Sequence, residues 1–219
     1  MTSSETVRLG VLVSGRGTNL QAIIDAVETG YIKGAKVAVV ISDVKEAHAL
    51  ERARKHKIPA LFIDPKRFRS RIDFDEEVIR RLDGYGVDLV LLAGYMRIVS
   101  PEFVEHYKWR MMNIHPALLP SFPGLNAQKQ ALEHGVKVSG ATVHFVTEDV
   151  DAGPIILQRA VPVMEDDTVE SLSERILEQE HKIYPEAVRL FVEGRLKVVG
   201  RRVKIIPKKL TNRKQLRAF

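Results

Sequence analysis

The chain has 219 residues, no cysteine and a formal net charge of +6, with 45% apolar and 28% charged residues. This is the composition of a globular protein with a sizeable core, and the lack of cysteine excludes disulfide scaffolds, thiolate metal sites and cysteine nucleophiles. No apolar run reaches the roughly 18 residues of a membrane-spanning helix, and the first residues lack the pattern of a leader peptide. We therefore expect a cytoplasmic protein.

Short apolar runs alternate with helical patterns along the first half of the chain. In chain order, these patterns predict strand 7–13, helix 19–28, strand 36–41, helix 46–55, strand 60–63, helix 70–82, strand 87–93, helix 101–107 and strand 110–114. Alternation of this kind predicts an open, mostly parallel sheet with helices on both faces, in a Rossmann-like arrangement.

The pattern changes in the second half of the chain. The remaining predicted elements are helix 127–133, strands 138–145 and 155–163, and a long helix that runs toward Val192 after a capping-box-like start at 167–170. Only a loop separates the two strands, so they predict an antiparallel hairpin toward the carboxyl end. The predicted fold class is therefore α/β, with a mostly parallel sheet and a C-terminal antiparallel hairpin.

The basic residues are concentrated at the carboxyl end. Residues 194–219 hold ten Lys or Arg side chains and no acid, whereas residues 1–193 hold 24 basic and 28 acidic side chains. We therefore divide the chain into a single domain, 1–200, and a basic extension, 201–219, which we expect to lie apart from any site. A second basic cluster, at 52–71, is interpreted as a solvated helix face.

A glycine-rich turn, Ser14–Asn19, joins the first predicted strand to the first helix. Leu20 stands where a dinucleotide fingerprint needs its third glycine, and the Gly-Lys-Ser/Thr of a P-loop does not follow. Glycine lets a backbone approach a ligand closely, and free N–H groups at a helix start favour an anion such as a phosphate ester. The alternative is a plain turn in which Thr18 or Asn19 caps the helix.

Two polar residues, Asn113 and His115, end a predicted central strand, where ligands bind in open parallel sheets. Strand alternation puts both side chains on the same side. An amide and an imidazole placed in this way can reach one developing oxyanion. The alternative is a histidine with a purely structural role.

Asp151 lies in the loop of the predicted hairpin, before Gly153 and Pro154. An aspartate there would favour the charged form of a nearby imidazole, although a turn-forming aspartate is the alternative. His144, on a predicted strand, is interpreted as a satisfied histidine rather than a ligand. No spacing of histidines and carboxylates indicates a metal site.

These pieces form part of a wider resemblance. It is carried by VLVSGRGTNLQAIIDA at 11–26, LLAGYMRIVSPEFV at 91–104, NIHPALLPSFPGL at 113–125 and SGATVHFVTEDVDAGPIILQ at 139–158. In these segments the chain resembles the folate-dependent formyltransferase family, and within it the phosphoribosylglycinamide formyltransferases of de novo purine biosynthesis. The resemblance extends to about residue 198. It departs from the family pattern at Ala117, where serine is expected, and at Arg16, where an uncharged residue is common.

The resemblance implies transfer of the formyl group of 10-formyltetrahydrofolate, a co-substrate, to the amine of glycinamide ribonucleotide. The implied site residues are catalytic Asn113, His115 and Asp151; ribonucleotide-binding Gly17, Thr18, Asn19 and Glu180; and folate-binding Arg71, Met96, Arg97, Ile98, Val99, Thr147, Glu148, Asp149 and Val150. Asn113 and a protonated His115 would stabilise a tetrahedral intermediate, while Asp151 orients the imidazole. The residue spacing and the lengths of the apolar runs lead us to expect no metal and no membrane, and the sequence leaves a homodimer open.

Three alternatives have sequence signatures of their own. A formyltetrahydrofolate hydrolase would use water as the acceptor, but that family carries an additional N-terminal domain. A tRNA-directed formyltransferase needs an additional C-terminal domain, and only residues 194–219 follow the body here. A non-enzymatic module that binds nucleic acid is suggested by the basic extension alone, and the mildly acidic body disfavours it.

Overall fold

The structure is a computed structural model, and it describes residues 6–207. Within this range the strands are β1 (Val7–Val13), β2 (Ala35–Ser42), β3 (Ala60–Phe62), β4 (Leu89–Leu92), β5 (Met111–His115), β6 (Val138–Phe145), β7 (Ile155–Pro162), β8 (Leu196–Val199) and β9 (Arg202–Ile205). The helices are α1 (Thr18–Glu28), α2 (His48–Lys55), α3 (Arg71–Gly84), α4 (Pro101–His106), α5 (Ala127–Glu133) and α6 (Val169–Val192), with a short 3-10 turn at Pro65–Arg67.

The strands form one sheet in the order β3-β2-β1-β4-β5-β6-β7-β9-β8. Strands β1 to β5 pair in parallel, and β6 is antiparallel to both β5 and β7. After β3 the chain returns to the other side of β1 to form β4. The carboxyl ends of β1 and β4 therefore form a switch point, where ligands bind in open α/β sheets.

Helices cover both faces of the sheet. Helices α1, α2, α5 and α6 pack in one buried apolar cluster, through residues such as Leu20 and Ile183. Helices α3 and α4 pack in a second cluster, through residues such as Phe74. Val11 and Leu12 are neighbours in β1 and lie in different clusters, as strand alternation requires. The predicted fold class is thus confirmed.

Most predicted elements agree with the structure to within two residues, and α5, β1 and β6 have the predicted bounds. The start of α6 differs from the prediction. Its N-cap is Thr168 rather than Asp167, because Thr168 and Ser171 exchange side-chain-to-backbone hydrogen bonds across the first turn. Asp167 instead accepts hydrogen bonds from Arg175.

Strands β8 and β9 are not predicted by the sequence, since basic side chains interrupt their short apolar runs. Strand β9 lies beyond residue 200 and pairs with β7 through Arg202 and Ile155. Arg201 donates to the Ala152 carbonyl, next to Asp151, at 3.2 Å. Arg201 therefore contacts the backbone of the loop that carries Asp151, although no predicted site residue lies in 201–219.

The remainder of the predicted extension, 208–219, lies outside the described residues. The division into a domain and an extension stays a prediction. Within residues 6–207, no helix is both long enough and apolar enough to cross a membrane.

Candidate active site

The glycine-rich turn after β1 leaves the start of α1 open. Gly17 is the N-cap residue, with a φ of 72°, and no side chain within residues 6–207 caps this helix. A Cβ at position 17 would lie 2.6 Å from the Cβ of Ala49, so glycine satisfies both the left-handed backbone and the close packing. The backbone N–H groups at the start of α1 can therefore receive a ligand oxygen. The alternative in which Thr18 or Asn19 caps the helix is wrong.

The side chain of Asn19 reaches across to α6. Its Nδ2 donates to Glu180 Oε2 at 2.7 Å, over a separation of 161 residues, and both side chains are buried. Within the described part of the chain, Asn19 Oδ1 is buried without a hydrogen-bond partner. Burial raises the pKa of Glu180, against the opposing effect of the Asn19 amide. The pair ties α1 to α6 and leaves a buried amide oxygen for a polar ligand.

A cavity of about 540 Å³ lies beside this pair. Its lining includes residues 15–19 of the turn, Met96 after β4, Ile114 and Pro116, and Glu180. Ile114 and Pro116 are the chain neighbours of His115. The predicted ribonucleotide residues therefore line one cavity, which reaches the chain neighbours of His115, whereas Asn113, His115 and Asp151 themselves are not among its lining residues.

The turn is joined to the segment after β4 at the switch point. The Ser14 N–H donates to the Gly94 carbonyl at 3.1 Å, and the Met96 N–H donates to Ser14 Oγ at 3.0 Å. Ser14 Oγ in turn donates to Asp43 at 2.6 Å. These bonds hold Met96, the first residue of the Met96–Val99 segment, at the cavity wall.

The predicted catalytic residues meet on β5. Asn113 and His115 point to the same side of this strand, and Asp151 reaches both of them from the β6–β7 loop. His115 Nδ1 lies 3.2 Å from Asp151 Oδ2, and Asn113 Nδ2 donates to Asp151 Oδ1 at 3.3 Å. The Gly124 N–H also donates to Asp151 Oδ2, at 2.8 Å. The three residues form one hydrogen-bonded cluster, which we call the carboxylate cluster.

The backbone of the β6–β7 loop brings Asp151 into this position. Asp151 has a φ of 51°, in the left-handed region that aspartate enters more readily than most residues. A Cβ at Gly153 would collide with the Phe145 carbonyl oxygen, so the close approach of the loop to β6 requires glycine there. The Asp-x-Gly pattern thus has a steric basis in the fold.

The charge state of Asp151 is set by its neighbours. Burial alone would raise the pKa of this carboxyl, but its interactions with His144, with the Gly124 N–H and with the nearby His115 lower the pKa overall. Asp151 is therefore a carboxylate near neutral pH.

Burial lowers the pKa of His115, while Asp151 and the Phe122 carbonyl oppose that change. The Nε2 atom lies 2.8 Å from the Phe122 oxygen, which can only accept. Nδ1 faces Asp151 Oδ2 and Nε2 faces the Phe122 oxygen. A neutral ring has a proton on only one of these nitrogens, whereas the imidazolium donates to both oxygens. Asp151 thus favours the charged form, as predicted, but burial opposes the resting imidazolium that the sequence led us to expect.

His144 also belongs to the carboxylate cluster. Its Nε2 lies 3.3 Å from Asn113 Nδ2 and 3.5 Å from Asp151 Oδ1, and its Nδ1 donates to the Phe145 carbonyl. His144 does have partners, as the interpretation of a satisfied histidine requires. Two of these partners, Asn113 and Asp151, are predicted catalytic residues. The missing signal is the strand register, in which His144 stands opposite Asn113.

The predicted folate contacts fall into two groups. In the first, the charges of Arg71 and Arg97 both lower the pKa of the buried Asp75 carboxyl. Burial outweighs them and raises the pKa overall. The side chains of Met96 and Ile98 in this group are 64% and 55% exposed. The structure thus brings Arg71 and the Met96–Val99 segment together.

The second group, Thr147, Glu148, Asp149 and Val150, forms the loop before Asp151. Thr147 Oγ1 lies 3.4 Å from the Asp149 carbonyl, and Val150 is 48% exposed. Between residues 6 and 207, no hydrogen bond or ion pair joins this loop to the Met96–Val99 segment. The 147–150 loop lies near the carboxylate cluster because Asp151, the next residue in the chain, belongs to that cluster.

Comparison with known proteins identifies the family. A family model described as formyl transferase matches residues 7–188. The chain belongs to the formyl transferase family. The resemblance that the four sequence segments carry is thereby confirmed.

Relatives of this formyl transferase share most of its length. The phosphoribosylglycinamide formyltransferase of Escherichia coli (strain K12) is 50% identical over 188 residues, which are 86% of this chain and 88% of the relative. The trifunctional purine biosynthetic protein adenosine-3 of Homo sapiens is 49% identical over 187 residues, which are 85% of this chain and 18% of that protein.

Solved structures agree with the fold. Glycinamide ribonucleotide transformylase 1 from Symbiobacterium toebii has a TM-score of 0.91 and 59% identity, over 94% of this chain and 96% of that one. A formyltetrahydrofolate deformylase from Pseudomonas syringae has a TM-score of 0.85 and 30% identity, over 93% of this chain but 67% of that one. The formyl transferase fold is thus shared with an enzyme named for a different reaction.

Three side chains of the kinds that bind metals lie close together outside the candidate site of this formyl transferase. Asp25 and Glu28 of α1 and His56 after α2 have ligand atoms within 4.8 Å of one another. Both carboxylates are exposed, and Glu28 already pairs with His56 at 2.7 Å. The expectation of a metal-free site stays a prediction.

Proposed function

We propose that this formyl transferase moves the formyl group of 10-formyltetrahydrofolate to the amine of glycinamide ribonucleotide. The observation that carries the proposal is the cavity at the start of α1, which is lined by all the predicted ribonucleotide residues and also by Ile114 and Pro116, the chain neighbours of His115. An anion held at the helix start would leave the rest of the substrate directed toward the carboxylate cluster. The name of the Escherichia coli relative, phosphoribosylglycinamide formyltransferase, supports the same reaction.

The ribonucleotide phosphate is proposed to bind the backbone N–H groups of Gly17, Thr18 and Asn19. These groups begin a helix whose dipole favours an anion, and the exposed Arg16 side chain adds a positive charge at the cavity wall. Glu180 and Asn19 Oδ1, which has no hydrogen-bond partner among residues 6–207, are buried polar groups available to the ribose hydroxyls.

In the proposed reaction, one bond forms and one bond breaks at the formyl carbon. The neutral amine of the ribonucleotide attacks this carbon, and a tetrahedral adduct forms with negative charge on the formyl oxygen. The bond from carbon to the folate nitrogen then breaks, the new amide nitrogen loses one proton, and the folate nitrogen gains one. The chemistry needs an oxyanion donor and a proton carrier.

Asn113 and His115 are proposed as the oxyanion donors. The formyl oxygen would replace the Phe122 carbonyl at His115 Nε2. Negative charge developing there raises the proton affinity of the imidazole, so His115 takes up a proton from water as the adduct forms and returns it when the adduct collapses. Asp151 holds Nδ1 and stabilises the imidazolium, and it relays the amine proton toward the folate nitrogen through an intervening water. The charge pair is thus strongest in the transition state, which is where stabilisation accelerates the reaction.

The folate is proposed to lie along the Met96–Val99 and Thr147–Val150 segments, which would contact its pterin partly through backbone groups. The exposed side chains of Ile98 and Val150 offer apolar surface on each segment. Arg71 would approach the outer, anionic end of the folate. We propose that the protein binds glycinamide ribonucleotide and formyl folate and needs no metal for the reaction. A cytoplasmic location stays a prediction.

Hydrolysis of the formyl folate is the second candidate, since a deformylase has the same fold over 93% of this chain. This chain covers 67% of the length of that deformylase, which therefore contains a further segment. A hydrolase also needs no ribonucleotide, and the cavity at the start of α1 would then have no substrate to bind.

The proposal is tested by following consumption of 10-formyltetrahydrofolate by the purified protein with and without glycinamide ribonucleotide. We expect turnover that requires the ribonucleotide and yields one formylated ribonucleotide for each folate consumed. Equal rates of folate consumption with and without the ribonucleotide would establish hydrolysis instead.

A further inference from the structure

Groups of helix α2 donate hydrogen bonds to backbone carbonyls of the glycine-rich turn. The Ala49 N–H donates to the Gly15 carbonyl at 3.1 Å, and Arg52 Nε donates to the Arg16 carbonyl at 2.9 Å. Ala49 also packs against Gly17, where a Cβ would collide with it. Two successive carbonyls of the turn are therefore directed toward α2.

The direction of these carbonyls determines the direction of two N–H groups. In a planar trans peptide unit, the C=O and the N–H point in opposite directions. The Gly15 carbonyl shares its unit with the Arg16 N–H, and the Arg16 carbonyl shares its unit with the Gly17 N–H. Both N–H groups therefore point away from α2, and residues 15–17 line the cavity in which we place the phosphate.

Arg52 connects the turn to α1 as well. Its Nη1 donates to Gln21 Oε1 at 3.3 Å, so one half-buried guanidinium bridges the Arg16 carbonyl and the first turn of α1. Across the described range, Arg52 makes no ion pair with an acidic side chain. The planar guanidinium carries its donors in a fixed fork, which the ammonium group of lysine cannot reproduce.

We propose that Arg52 is a positioning residue for the substrate phosphate and acts through the turn rather than by catalysis. Its bond to the Arg16 carbonyl orients the Gly17 N–H before the ligand arrives, which reduces the entropy lost on binding. This inference rests on the proposed function, and it replaces the interpretation of Arg52 as part of a solvated helix face.

The test compares Arg52→Gln with Arg54→Gln, which removes the same charge from an exposed position of the same helix. We expect Arg52→Gln to raise KM for glycinamide ribonucleotide about tenfold, the size of effect that a lost hydrogen bond from a charged group produces. Turnover and KM for formyl folate should change less than about twofold, and Arg54→Gln should resemble the parent. Arg52→Lys should lie between Arg52→Gln and the parent, since it keeps the charge without the fork.

A phosphate-free acceptor separates positioning from general loss of structure. With glycinamide riboside, Arg52→Gln should have nearly the parent kcat/KM, because no phosphate is present to be positioned. An equal loss of kcat/KM with the riboside and the ribonucleotide, or an equal rise in KM for Arg54→Gln, would overturn the proposal. If Arg52→Gln unfolds at a lower temperature than the assay, the same comparison is made with Arg52→Lys.

Inorganic phosphate gives a readout that does not depend on activity. Titration followed by ³¹P NMR should show weaker phosphate binding to Arg52→Gln than to the parent and to Arg54→Gln. Equal phosphate affinity in the parent and in Arg52→Gln would overturn the role of Arg52. A parent protein that binds phosphate in this way but does not formylate the ribonucleotide would contradict the proposed function and leave the positioning role supported.

Discussion

Replacing Asp151 by asparagine removes one charge from the carboxylate cluster and keeps its shape. Asparagine tolerates the left-handed backbone at this position, and its amide oxygen can still accept from the Gly124 N–H. The lost interaction is with His115 Nδ1, 3.2 Å from the carboxylate. At an effective dielectric constant of about 20, opposite unit charges at that separation attract by about 5 kcal/mol.

Desolvation of the pair offsets part of this attraction, and acid–base groups contribute about 10²–10⁴ in rate. We therefore expect Asp151→Asn to lower kcat by about 10³, which is roughly 4 kcal/mol of barrier. The pKa of His115, which burial already lowers, should fall further because the supporting charge is gone. Binding of the ribonucleotide should change little, since the site proposed for its phosphate is the turn before α1 and not the carboxylate cluster.

Single-turnover rates and NMR titration of the His115 ring, in the parent and in Asp151→Asn, measure both effects. Asp166→Asn, which removes an exposed carboxylate before α6, is the matched control and should leave both unchanged. A normal rate with an unchanged His115 titration would refute the role of Asp151 and reduce its loop to a turn.

Four further predictions concern binding, stability and pH. Glu180→Ala should raise KM for the ribonucleotide about tenfold with little change in kcat, because binding rather than the transition state loses a contact. Tyr184→Phe should lower the free energy of unfolding in urea by about 1–3 kcal/mol, since the Leu92 and Met112 carbonyls lose their shared hydroxyl donor. Deletion of 208–219 should leave kcat within about twofold, whereas deletion of 201–219 removes β9 and should lower both kcat and Tm. The fold lowers the pKa of Asp151 from 3.8, so its stabilisation is present above that pH and is lost as pH falls through the folded-state pKa; urea unfolding of Asp151→Asn should therefore show a smaller loss of stability in acid.

The elements of this fold are largely predictable because their signals are local. Strand β1 and helix α5 follow from apolar periodicity and turn residues over fewer than about ten positions. The signal for the proposed anion site at Gly17–Asn19 is also local, since a glycine-rich turn and a helix start suffice to suggest it. Asn113 and His115 share a face by strand alternation alone.

Other features depend on contacts between distant segments. His144 joins the carboxylate cluster through the register of β6 against β5, and Asn19 meets Glu180 over 161 residues. Strand β9 depends on pairing with β7 and β8, which its basic sequence does not suggest. The resting charge of His115 depends on burial, and Arg52 acquires its contacts only when α2 packs on the turn.

The position of the formyl carbon after one turnover shows most directly whether it passes from the folate to the ribonucleotide amine. A single turnover with ¹³C-formyl-labelled 10-formyltetrahydrofolate and glycinamide ribonucleotide, followed by ¹³C NMR, reports where the label goes. We predict that the label appears as the N-formyl group of the ribonucleotide, with no labelled formate above the enzyme-free control. Label recovered as formate, with the ribonucleotide unmodified, would contradict the proposed transfer.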